Sequence, residues 1–274
     1  METILDIIAA HAKERVEAAK QRISLLEMRY NAELRAKIEP VAKKFAFTEA
    51  LRKGKTSDYG IAFICECKKA SPSKGLIAPD FPYRQIAKDY EAAGASCISV
   101  LTEPKWFLGS DDYLLNIAAT VRIPCLRKDF TVDEYMIYEA KLLGASAVLL
   151  ICSILSNAQL RDYLALCRSL GLSALTEVHD EKELAAAIEA GAEIVGVNNR
   201  NLKDFTVDRE NSRRLRQLVP EGILFVSESG VRTAEDVALL REAGADAVLV
   251  GEALMRAEDK KAKLRELALG ESKK

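Results

Sequence analysis

Carboxylates, ammonium groups and their polar neighbours stand at the ends of short apolar runs along this chain: Glu66 with Lys68, Lys128, Glu177, Asn198 with Arg200, and Glu228. Such groups held together do proton-transfer chemistry. An ammonium gives a proton to an oxygen gaining negative charge, and a carboxylate removes one elsewhere. In a partly dry site each charge depends on an opposite one to be tolerated. Glu66 and Lys68 are two residues apart, so on a strand both side chains point to the same side. Ser229-Gly230 and Gly251 suit a different task. Small residues leading into helices let backbone N–H groups approach an anion closely, and the positive helix end favours it. Phosphate is the ligand these positions predict.

Other chemistries fit less well. Ser229 has neither a G-x-S-x-G turn nor a histidine partner, which argues against a hydrolase triad. The six cysteines form no C-x-x-C pair, and only His11 and His179 could join them, so no metal site is expected. They read as buried, reduced thiols of a cytoplasmic protein. Lys68-Lys69 with Lys74 is brief and broken by Ser-Pro-Ser. With a formal net charge of -1 and interleaved acids and bases, no nucleic-acid partner is expected. His179 follows Glu177 by two and could face the same side, but it is expected to cap the helix that follows it. Trp106-Phe107 offers either a core anchor or a wall for an aromatic substrate.

Positioning these residues takes a sizeable fold. The 274 residues are 49% hydrophobic and 30% charged, which suits a globular protein, and no apolar run reaches the length of a membrane span. The first residues lack a basic region and carry Glu2 and Asp6, so they read as a helix rather than a signal peptide. Ile4, Ile8, Ala12, Val16, Ala19 and Ile23 make one apolar stripe that must bury against the main domain. A second helix is predicted through 25–44 and on toward Leu51, ending in a loop at 53–58. From Ile61 the pattern changes. Gly-Ala pairs at Gly94, Gly144, Gly191 and Gly244 recur at twice the length of one strand-plus-helix unit, each glycine capping a helix before an apolar run.

Eight such runs are predicted as strands: Ile61–Cys67, Cys97–Leu101, Cys125–Lys128, Ala147–Ile151, Ala174–Glu177, Ile194–Val197, Leu224–Ser227 and Ala247–Val250. Eight apolar strands alternating with helices predict an α/β fold, a (β/α)8 TIM barrel, spanning residues 1–274 as one domain with a helical extension at 1–45. A doubly wound open sheet would usually carry a glycine-rich nucleotide turn, and no G-x-G-x-x-G occurs. In a barrel the residues that follow the strands share one mouth.

Seven segments in register then carry a resemblance. Glu-x-Lys-x-x-Ser-Pro-Ser-x-Gly at 66–75, Ile98–Glu103, Lys128-Asp129-Phe130, Leu175–Val178, Gly196–Leu202, Ser227–Gly230 and Gly251–Met255 resemble the indole-3-glycerol-phosphate synthases, as do the extra N-terminal helices. The resemblance implies closure, decarboxylation and dehydration of a small-molecule phosphosugar, 1-(2-carboxyphenylamino)-1-deoxyribulose 5-phosphate, without metal or organic cofactor. It implies that Lys128 is the general acid at the carbonyl. Lys68 and Arg200 would hold the carboxylate, Lys68 also being a candidate proton donor. Glu177 would act in dehydration, supported by Glu66, Asn198 and Glu228. Ser71, Ser229, Gly230, Gly251 and Glu252 would bind sugar and phosphate, the last two through backbone N–H. Phe107 is the candidate aromatic wall. Two departures stand out: Leu108 where relatives often have glycine or a polar residue, and Glu252 where some have serine, so its acid is expected to point away. A cytoplasmic monomer with no membrane partner is expected. The alternatives are phosphoribosylanthranilate isomerase, against which Glu66 and Lys68 on the first strand argue, and a non-catalytic phosphosugar-binding barrel.

Overall fold

The computed structural model describes residues 3–201 and 205–270. Helices α1 (Ile4–Lys20), α2 (Leu25–Ile38) and α3 (Ala46–Lys55) precede the first strand. The barrel strands are β1 (Ala62–Cys67), β2 (Cys97–Leu101), β3 (Cys125–Lys128), β4 (Ala147–Ile151), β5 (Ser173–Val178), β6 (Ile194–Asn198), β7 (Leu224–Glu228) and β8 (Ala247–Val250). Each lies within one residue of its expected ends. All pair in parallel with their sequence neighbours, and β1 closes the barrel against β8 with Ile64 opposite Leu249. Helices α4 (Tyr83–Ala92), α5 (Asp111–Ala118), α6 (Glu134–Leu142), α7 (Asn157–Ser169), α8 (Glu181–Glu189), α9 (Glu210–Arg216), α10 (Ala234–Glu242), α11 (Glu252–Arg256) and α12 (Lys260–Leu269) fill the crossovers and the C-terminal end.

Both strand faces are apolar because both are covered. Phe63, Val148, Val195 and Val248 face the helices, whereas Ile64, Leu126, Leu149, Leu175, Val226 and Leu249 meet inside the barrel. The glycines of the recurring pairs have φ of 94°, 85°, 86° and 85°. The alanine after each donates its N–H five residues back at 3.0 Å, the bond that satisfies a helix-end carbonyl on the way into the next strand.

The N-terminal region departs from expectation in three ways. Helix α1 starts at a capping box of Thr3 and Asp6 and buries Leu5, Ile8, Ala9, Ala12 and Val16, but Ile23 lies in the turn beyond its end and is exposed. The long second helix is interrupted: α2 stops at Ile38, a 3-10 turn spans Val41–Lys43, and α3 begins at Ala46. Pro40 is the reason, since it cannot donate to the helix ladder and holds Glu39 extended at ψ 134°. Finally, residues 53–55, expected in a loop, complete α3. Phe47 and Leu51 are fully buried in the barrel's interior cluster, and packing there outweighs the local polarity of Lys53-Gly54-Lys55. Helix α2 packs on α6 and leaves Leu26, Tyr30 and Ile38 exposed, as is Val41 in the 3-10 turn after it. No helix among the described residues is long and apolar enough to cross a membrane.

Candidate active site

The period of two that packs the barrel also builds the site. Interior rows run Ala62, Ile64, Glu66 on β1, Leu126, Lys128 on β3, Leu175, Glu177 on β5, and Leu224, Val226, Glu228 on β7. Each row is apolar until its last residue. The four charged ends come from alternate strands, as the side chains of one interior layer do in such barrels. Above them opens a cavity of about 450 Å³. Glu66, Lys68, Ser71, Phe107, Lys128, Glu177, Asn198, Arg200, Glu228, Ser229, Gly230, Gly251 and Glu252 all line it.

Lys128 Nζ lies 3.2 Å from Glu177 Oε2 and 3.4 Å from Glu228 Oε2. Burial works against its ammonium, yet Glu177, Glu228 and Glu66 together hold its pKa well above the usual lysine value. The two carboxylates that share this one cation part company. Glu177, although buried, is held below its ordinary value by Lys128, by His179 and by Asn198, whose Nδ2 donates to Oε1 at 3.2 Å. Glu228 is pushed up to about 7 by burial, with Lys128 only partly offsetting it and the Glu177 charge adding to it. Like charges around one ammonium leave one carboxylate ionised and its neighbour ready to hold a proton. Beside them Lys68 Nζ donates to Glu66 Oε1 at 2.5 Å, and Ser99 Oγ donates to Oε2 at 3.3 Å. Glu66 is buried, but Lys68 and Lys128 hold its pKa below the usual value.

Two glycines make room for these carboxylates. A Cβ on Gly251 would lie 2.5 Å from Glu66 Oε1 and 3.0 Å from Lys68 Nζ. The sequence-based reason for Gly251, close approach of an anion to its backbone, therefore has a second one beside it. On β6, a Cβ on Gly196 would collide with Glu228 Oε1. Only the folded arrangement reveals Gly196, because nothing local marks it off from any other strand glycine.

Just past β7, Ser229 and Gly230 both have positive φ, 65° and 95°, and Ser229 Oγ donates to Asn198 Oδ1 at 3.0 Å. Glu252 opens α11 and turns its carboxylate to Arg256 Nε at 3.1 Å, with Lys74 Nζ at 3.7 Å. The cations Lys74, Arg232, Arg256 and Lys263 also line the cavity, and the strand-end reading of the sequence does not mark them as ligand groups. Lys74 sits inside the Ser-Pro-Ser segment and Arg232 two residues past Gly230, so their positions in the strand-end loops were the available signal.

Phe107 lines the cavity and lies 6.1 Å from Phe130, centroid to centroid, whereas Trp106 packs edge-on to His11 of α1 at 5.2 Å. Of the two aromatic residues, Phe107 is thus the one that faces the cavity. Buried Glu103 fixes their loop by accepting the N–H groups of Lys105, Trp106 and Phe107 at 3.0, 2.7 and 3.0 Å. Leu108 is exposed and adopts φ 51°, a left-handed conformation in which a glycine would be unstrained. From α1, Ile4, Leu5 and Ile8 close one side of the cavity. His179 does not cap α8. Asp180 does, accepting the N–H of Glu183, because its shorter side chain sits one residue nearer the helix. The imidazole instead stands 3.6 Å from Glu177 Oε1. All six cysteines are unbridged, five of them buried.

Comparison with known proteins adds to this geometry. A family model described as "Indole-3-glycerol phosphate synthase" matches residues 5–267. The indole-3-glycerol phosphate synthase of Ruminiclostridium cellulolyticum is 57% identical over 96% of this chain and 98% of its own length. That of Endomicrobium trichonymphae is 50% identical over 96% and 99%. Among solved structures, thiamine phosphate pyrophosphorylase from Pyrococcus furiosus superimposes with a TM-score of 0.58 at 16% identity, covering 77% of this chain and 94% of that one, a likeness of fold alone.

Proposed function

The chain belongs to the indole-3-glycerol phosphate synthase family, and from that premise we propose how its residues carry out the reaction. The protein is a decarboxylating lyase of tryptophan biosynthesis. Its substrate is 1-(2-carboxyphenylamino)-1-deoxyribulose 5-phosphate and its product indole-3-glycerol phosphate. The observation that carries the assignment of roles is Lys128, an ammonium held between Glu177 and Glu228 at the head of the barrel interior.

Lys68 and Arg200 hold the aromatic carboxylate, and Phe107 lies along the ring. As the carboxyl-bearing ring carbon attacks the ribulose carbonyl, Lys128 passes a proton to the oxygen, neutralising charge where it develops. Carbon dioxide then leaves, and its bond pair restores aromaticity. The new hydroxyl departs as water after a second protonation, for which Lys68 is a candidate donor, and a ring proton is removed. Glu177 is the acid/base group of this dehydration, with Glu66, Asn198 and Glu228 setting its surroundings. Ser71, Ser229 and the backbone of Gly230, Gly251 and Glu252 receive sugar and phosphate, and Lys74, Arg232 and Arg256 add positive charge at that end. We read the chain, residues 1–274, as one domain acting as a cytoplasmic monomer, without metal or organic cofactor.

Fluorescence of the indole product, followed with purified protein and the carboxyphenylamino substrate, tests the reaction. Calorimetry with phosphorylated and dephosphorylated substrate tests the phosphate rim. No indole signal would sink the reaction assigned here, and equal affinity for the two substrates would remove the phosphate site.

A further inference from the structure

Helix α2 is apolar on both faces, and only one of them is buried. Met28, Ala32 and Ala36 form the inner face, where α2 packs on α6. The outer face carries Leu26, Tyr30, Leu34 and Ile38, which are 78%, 66%, 45% and 69% exposed. At about 100° per residue these four share one side of the helix, centred opposite Ala32. They therefore point away from the barrel. Ile23 before the helix and Val41 in the 3-10 turn after it are exposed at its two ends. Together the six side chains leave bare on the order of 600 Å², as much as the largest apolar patch of a typical monomer and most of the roughly 800 Å² that each partner gives a standard interface.

The row also has an order. Leu26 and Ile38 stand six residues either side of Ala32, Tyr30 and Leu34 two residues either side, and Ile23 and Val41 nine. Reversing the chain direction about Ala32 returns a large apolar residue to every one of these levels. A surface of this kind is complementary to itself under a twofold axis, the symmetry of an isologous dimer. We propose that the outer face of α2 is a self-association surface, on which two copies of this chain pair at micromolar concentration with their α2 helices antiparallel about a twofold level with Ala32.

The twofold sets Leu26 level with the partner's Ile38 and Tyr30 level with the partner's Leu34. Residues four apart form one ridge, and two such ridges laid side by side cross at about −50°, the commonest class of helix packing. Charge selects the antiparallel direction. It brings the acidic first turn of one helix, with Glu27, to the basic last turn of the other, with Arg35 and Lys37, and it opposes the two helix dipoles. A parallel pair would set like charges together. With the Arg29–Glu33 ion pair at 2.8 Å, these residues make a polar rim around an apolar centre. No α2 residue lines the cavity, and every residue assigned to the reaction comes from one chain, so the monomer is the catalytic unit and the form of the dilute enzyme. An interface just under standard size fits an association that dilution reverses.

Sedimentation velocity of the full chain from about 0.1 to 100 µM tests the pairing. Wild type should pass from the mass of one chain to that of two across this range. Leu26→Glu and Ile38→Lys each place at an exposed position the charge its helix end favours. Each should weaken association about tenfold or more, with Tm and kcat/KM at wild-type values. Cross-linking reads the register separately, with a bismaleimide shorter than the roughly 18 Å between residues 26 and 38 along one helix. Equimolar Leu26→Cys and Ile38→Cys chains should link to each other and Leu26→Cys alone should not, with wild type as the blank for the native thiols. Wild type that stays single at the highest concentration overturns the proposal, whatever other partner that face then serves. Dimers that persist unchanged in both charged variants overturn it as well, because the contact then lies elsewhere. Leu26→Cys that links to itself and not to Ile38→Cys overturns the antiparallel pairing.

Discussion

Arg15 of α1 clasps Asp129, the residue after Lys128, with Nη2 donating to Oδ1 at 2.7 Å and Nη1 to Oδ2 at 3.3 Å. Asp129 is buried, accepts from Thr102 Oγ1 at 2.7 Å, and is held ionised by Arg15 and Arg127 against the cost of burial. The extension is therefore tied to the strand end that presents Lys128, besides closing one side of the cavity.

Arg15→Ala should cost about 1–3 kcal/mol, because a buried carboxylate loses its bidentate partner, with Arg127 at 3.9 Å and Thr102 left to limit the damage. Deleting residues 1–44 should lower Tm further and raise KM, since Ile4, Leu5 and Ile8 leave the cavity wall. Thermal melts and steady-state kinetics on both proteins check this; unchanged melting and unchanged kcat/KM in the truncated chain would make the extension dispensable.

Lys128→Ala should reduce kcat by about 10²–10⁴, the usual worth of a positioned acid, with much less effect on substrate affinity. A folded variant with wild-type turnover would show that the proton comes from elsewhere.

Glu228 predicts a slope in stability with pH. Its folded-state pKa, pushed up to about 7, exceeds its ordinary value of 4.5, so between these values the folded chain holds a proton that the unfolded chain has released. Stability should therefore fall as pH rises through this window and stay at the lower level above it. Glu228→Gln should remove that slope, gaining at most about 3 kcal/mol at pH 8 and little near pH 4.5, while losing activity. Melting curves for the two proteins that run parallel from pH 4.5 to 8 would contradict the shift.

Gly251→Ala should lower kcat/KM by roughly tenfold while shifting Tm little. The added methyl meets the ends of Glu66 and Lys68, which can move aside, but moving them disturbs the mouth. Gly251 keeps its backbone N–H in this variant, so the effect separates room for the ion pair from phosphate binding through the amide. Wild-type kinetics would show that the pair tolerates displacement.

Periodicity is a local property, and what depended on it was readable from the sequence alone. Near-continuous apolar runs ending in charge defined eight strands and, with the barrel rule that strand ends share a mouth and the family resemblance beside it, picked out thirteen of the residues that line the cavity. The four Gly-Ala helix ends were equally legible, because a left-handed glycine closing a helix is determined by the chain next to it. The break at Pro40 was written in the sequence too, but the helical pattern on either side of it masked the stop. The remaining features depend on which distant residues meet. Nothing near Gly196 or Gly251 shows that Glu228, or Glu66 with Lys68, needs the space of a side chain there. Arg15 finds Asp129 only once α1 lies across the mouth, and residues 53–55 join a helix because Phe47 and Leu51 fill the barrel interior. The division of charge between Glu177 and Glu228 around one lysine, and the turn of His179 toward Glu177, likewise follow from burial and distances of a few ångströms, which only the tertiary structure sets.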